Sequence, residues 1–131
     1  IETLEWILQQ QTSAEGHFRP VGSESFGRKH MLPLPFDQQP VEIWAAIDAA
    51  SAALEATGEP VWIDHAFCAY SWFTGNNDRG IAVGDPVTGT CFDGITPRGV
   101  NLNQGAESVL AYQLASCAMQ QLLTKTETKR Q

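Results

Sequence analysis

A chain of 131 residues is long enough for one domain around one core. Its 15 acids against 8 Lys and Arg leave a net charge of −7, which argues against a nucleic-acid or anionic-membrane partner, since phosphates need a basic patch. No apolar run approaches the ~20 residues of a membrane span.

The chain opens Ile1-Glu2-Thr3 without an initiator Met, so it reads as a fragment or C-terminal part of a longer protein. The first predicted helix covers about Glu2 to Gln11, with Leu4, Ile7, Leu8 and Gln11 on one face. Gly16 ends it. The segment GHFRPVGSESFGRKHMLPLPFDQQP follows, too long for an ordinary connection and too aromatic for disorder. The second helix starts at Pro40, where a missing N–H costs nothing, and stops at Gly58. Its stripe is Ile43, Ile47, Ala50 and Leu54, and its many alanines suit close packing. The third helix starts at Pro60 and ends at Gly75. Ile63, Ala66, Phe67, Tyr70 and Phe73 form its stripe, flanked by Trp62 and Trp72. A second long loop covers Asn76 to Gln104. The fourth helix runs from Ala106 to about Leu123 through Val109, Leu110, Leu114, Cys117 and Leu122, before a polar tail expected to fray.

The spacing long–short–long predicts an all-α fold of antiparallel α-hairpins with both long loops at one end. The N-termini of helices two and four then share a surface suited to carboxylates or hydroxyl-rich ligands. No βαβ alternation or phosphate-binding glycine loop competes. Three widely spaced cysteines without a CxxC pair argue against a disulfide framework or a zinc site. They point to a reducing, cytoplasmic setting, with Cys68 and Cys117 as buried small hydrophobes. Neither a metal nor an organic cofactor is expected.

The densest polar stretch is CFDGITPRGVNLNQGAES, from Cys91 to Ser108. Asp93, Asn101, Asn103, Gln104 and Glu107 crowd a glycine-rich loop that ends in a helix, a placement typical of recognition groups. Each also has a plain structural use: Glu107 at a helix start, the amides as caps and loop hydrogen bonds. Asp37, Asp78, Asp93 and Glu107 are the carboxyl candidates for glycoside chemistry, which needs two across one bond. Asp37 and Glu107 suit a nucleophile or base, and Asp93, between Phe92 and Gly94, suits the desolvated acid. His17, Gln38, Asp78, Asn101, Asn103, Gln104 and Phe92 are expected to bind substrate, with Phe18 and Trp72 as further candidate aromatics. Among the histidines His17 is the plausible base. His65 lies mid-helix, and His30 has no evident partner.

The strings LEWILQQQTSAEGHF, FDQQPVEIWAAIDA, YSWFTGNNDRG and TGTCFDGITPRGVNLNQGAES cover most of the chain. In this order they resemble the all-helical C-terminal domain attached to bacterial retaining glycosyltransferases, which is similar to the (α/α) toroids of six-hairpin glycosidases and sugar epimerases. Ser23-Glu24-Ser25-Phe26 departs from the glycine- and tryptophan-rich stretch expected there. The resemblance implies a partial (α/α) toroid whose open sides are covered by a glycosyltransferase domain or a second copy, giving a dimer. Two functions follow as expectations: a carbohydrate-related module that binds a saccharide or supports a glycosyltransferase, or part of a sugar-active hydrolase or epimerase using paired carboxylates.

Overall fold

The computed structural model describes residues 1–25 and 34–129, the side chains of 127–129 excepted, so Phe26 and His30 lie outside the described residues. Among these residues the elements run α1 (Glu2–Gln10), α2 (Pro40–Thr57), α3 (Val61–Ser71), β1 (Gly94–Thr96), β2 (Gly99–Asn101) and α4 (Ala106–Lys129). The antiparallel hairpin β1–β2 corrects the expected all-α toroid: the fold is a mixed one, helices with a small sheet. Its strands pair Gly94 with Asn101 and Thr96 with Gly99, closed by Pro97-Arg98. Strands of three residues are too short to show alternation, so the stretch reads as a loop in sequence.

The helix boundaries follow local chemistry. Pro40 opens α2 behind Gln39, and Gly58 ends it in the left-handed region at φ 73, donating its N–H to Leu54 O at 2.8 Å. After Ser71 the chain tightens into a 3₁₀ turn, Trp72–Thr74, and Gly75 stops it at φ 109. The tail expected to fray remains helical as far as Lys129.

Helix α2 is the centre of the packing. Ile43, Ile47, Ala50 and Ala53 are buried between α3 and α4. Trp62, Trp72 and Phe73 are 1% exposed or less, so both tryptophans belong to the core and do not flank it, whereas Phe67 is 44% exposed. Near its C-terminus α4 meets the C-terminal part of α2 through Lys125 Nζ to Glu55 Oε1 at 2.5 Å. At the other end Gln38, just before α2, bonds to β1, and Asp93, just before β1, bonds to Gly105 at the start of α4. Helices α2 and α4 are therefore parallel neighbours, with α3 antiparallel to both, and both long connections lie at one end. The buried face of α4 is Ser108, Ala111, Tyr112, Ala115, Met119 and Leu122; of the stripe expected from sequence Leu122 lies on it, whereas Leu110, Leu114 and Cys117 are exposed. Ala111 and Ala115 allow close approach to alanine-rich α2, while Tyr112, Met119 and Leu122 fill the space on either side. Cys117 is exposed and Cys68 half-buried, against expectation; Cys91 is the buried thiol. Burial pushes Cys91 up to about 12, so it stays protonated.

No helix among the described residues is long and apolar enough to cross a membrane.

Candidate functional site

Four residues from three distant segments converge at the loop-bearing end. Asp78, in the loop after α3, accepts His17 Nε2 at 2.8 Å and Gln38 Nε2 at 2.5 Å. Arg19 grips the same carboxylate with two nitrogens, Nε at 2.8 Å and Nη2 at 2.5 Å. Such a bidentate pair is among the strongest hydrogen-bonded contacts a side chain makes. Gln38 is fully buried. It also donates to Pro35 O at 2.8 Å, and its Oε1 accepts Trp72 Nε1 at 2.7 Å. Burial pushes the Asp78 carboxyl up, but the hydrogen bonds from Arg19, His17 and Gln38 outweigh it and hold it below the usual range. Asp78 is thus an ionised anchor that ties the first loop, the entrance to α2 and the second loop together. Arg19 is the residue that sequence reasoning missed. Its signal was the i, i+2 spacing from His17, which puts both side chains on one side of an extended segment.

Beside this anchor the hairpin is docked by backbone pairing. Gln38 and Ile95 exchange two N–H···O bonds of 2.9 Å. Arg79 caps the hairpin tip, donating to Thr96 O at 3.2 Å and to Pro97 O, while its guanidinium lies 5.0 Å from the Phe36 ring centroid.

The polar stretch before α4 divides into two groups. Asp93 Oδ1 accepts Gly105 N at 2.7 Å, and Asp93 N donates to Asn103 O at 2.8 Å. Asn101 Oδ1 accepts Asn103 N at 3.2 Å. Asp93, Asn101 and Asn103 therefore fold their own loop onto the start of α4. Phe92 and Gln104 instead line an open cleft of about 350 Å³ together with Ala82–Pro86 and Thr90. Glu107 is exposed in the first turn of α4, and Asp37 is half-buried ahead of α2. Of the aromatics proposed for a site, Phe18 and Trp72 belong to the core and Phe92 alone reaches the cleft.

Burial also acts on a carboxyl outside this set, Glu42. Glu42 stands in the first turn of α2, where its Oε2 accepts Gln39 N at 3.4 Å. Burial pushes it to about 7 from an ordinary 4.5, against the smaller pull of that N–H. A folded value above the unfolded one means the folded state keeps a proton the unfolded state has lost. Stability should therefore fall as pH rises from about 4.5 to 7 and stay lower above that. Glu42→Gln keeps the acceptor and removes the charge. Its unfolding free energy in urea should exceed that of the parent by about 1–2 kcal/mol at about pH 8, allowing for partial solvent screening, and match it at about pH 4.

No family model matches this chain, and no curated protein matches it either.

Proposed function

We propose that this domain is a carbohydrate-related helical module that binds a neutral saccharide in the cleft beside Phe92 and Gln104, and that it serves next to a glycosyltransferase. The observation that carries the reading is the lining of that cleft: a half-buried Phe92 ring next to the Gln104 amide and Thr90. A sugar ring offers an apolar C–H face to an aromatic ring and hydroxyls to amide and hydroxyl groups. The cleft volume of about 350 Å³ falls at the small end of ligand sites. A net charge of −7 disfavours a phosphorylated ligand. A binding role is supported over hydrolysis by the use already made of two candidate acids. Asp78 is neutralised by Arg19, and Asp93 holds Gly105, whereas glycoside hydrolysis needs two carboxyls free to face one bond.

Titration with a panel of neutral mono- and disaccharides, followed by amide chemical shifts, tests this. Shifts should centre on residues 82–92 and on Gln104. Phe92→Ala and Gln104→Ala should each weaken binding about 10-fold, as loss of a stacking face or a buried hydrogen bond would. No shift with any sugar, or binding indifferent to both variants, would rule the reading out.

A further inference from the structure

Helix α4 is apolar on two opposite sides. One stripe packs on α2 and α3. The other carries Leu110, Leu114 and Cys117, with Leu110 60% and Leu114 45% exposed. From Ser108 to Thr124 the helix holds no charged residue. A helix face turned to water normally carries charges, and one without them is normally covered. Positions 110, 114, 117 and 121 are spaced four, three, four, the repeat of a two-helix seam.

We infer that α4 pairs antiparallel with α4 of a second copy of this chain, about a twofold axis between Ala115 and Ser116. That register sets Leu110 against the partner's Gln121 and Leu114 against the partner's Cys117. It also brings Glu107 to within one residue, ~1.5 Å of rise, of the level of the partner's Lys125. Glu107 and Lys125 stand about five turns apart on α4, so they lie on one side of the seam, and the twofold keeps them there. An acid–ammonium pair then closes each end. This self-complementarity points to a second copy over an unrelated protein. A chain of net charge −7 repels itself over most of its surface, but this face is uncharged from Ser108 to Thr124, and at each end the one ammonium lies between Glu55 and the partner's Glu107. Lys125 also holds Glu55, and its ammonium has donors for both acids. The opposed helix dipoles favour the same orientation.

Sedimentation velocity on the intact chain from about 1 to 100 µM should show a concentration-dependent dimer. Leu114→Lys should abolish it while circular dichroism stays unchanged, because the side chain is outside the core. Glu107→Lys should weaken it about 3–10-fold, and Glu107→Lys with Lys125→Glu should restore it. A short bismaleimide should join Cys117 to the partner's Cys117, identified by peptide mapping. A monomer at every concentration would give this face to a different protein and overturn the inference. So would a dimer indifferent to Leu114→Lys, or a charge reversal that the second reversal does not repair.

Discussion

Replacing Asp78 with Ala is expected to lower the unfolding free energy by about 3–4 kcal/mol at neutral pH. The substitution strands three donors at once: the Arg19 guanidinium, His17 Nε2–H and Gln38 Nε2–H. Gln38 is fully buried and retains only Pro35 O for that amide, so its second hydrogen has no replacement from solvent. The loss exceeds that of an ordinary surface ion pair because the Asp78 side chain is only 8% exposed. The pH dependence gives an independent check. The folded Asp78 value lies below 3.8, so its contribution is present above that pH and is lost as pH falls through the folded value. Glu42 works in the opposite sense over its own window, from about 4.5 to 7. Urea unfolding of the parent chain should therefore show greatest stability near pH 4–5, and Asp78→Ala should flatten the acid side alone. An Asp78→Ala variant as stable as the parent would show that the loops are held by something other than this anchor.

The second large effect is expected at Gly94. Its φ of 142 lies where side chains are rarely accommodated, and an added Cβ would sit 2.2 Å from Gln38 O. That oxygen is the acceptor for Ile95 N, so the backbone cannot move away without breaking the pairing that docks the hairpin. Gly94→Ala should cost about 3 kcal/mol or more, and amide exchange at Gln38 and Ile95 should accelerate with it. Gly99 is the control. It has nearly the same φ, 139, but an added Cβ meets nothing within 4 Å. Gly99→Ala should cost only the backbone strain, about 1 kcal/mol. Equal losses at the two glycines would mean that strain, and not the contact with Gln38, decides the position.

Where the information is local, sequence determined the outcome. Pro40 and Gly58 set the ends of α2, and Gly75 stops the turn after α3, because first-turn prolines and left-handed glycines act on their own few residues. The long–short–long spacing placed the starts of α2 and α4 together, since a three-residue connection, Gly58-Glu59-Pro60, forces α3 to reverse. The hairpin was not legible. Its strands are too short to have a period of their own, and it is docked by Gln38, more than fifty residues away. Nor was the division of the polar residues. Asp78 meets His17 and Arg19 across about sixty residues, and that meeting turns a candidate ligand group into an anchor. Asp93 is fixed by Gly105 in the same way. Phe92 and Gln104 are left to line a cleft because their loop is folded by their neighbours. Sequence also could not choose between the two apolar stripes of α4, since both have helical spacing. The tertiary structure chose the one with Ala111 and Ala115, which allow α4 to approach α2, and with Tyr112, Met119 and Leu122, which fill the core beside them.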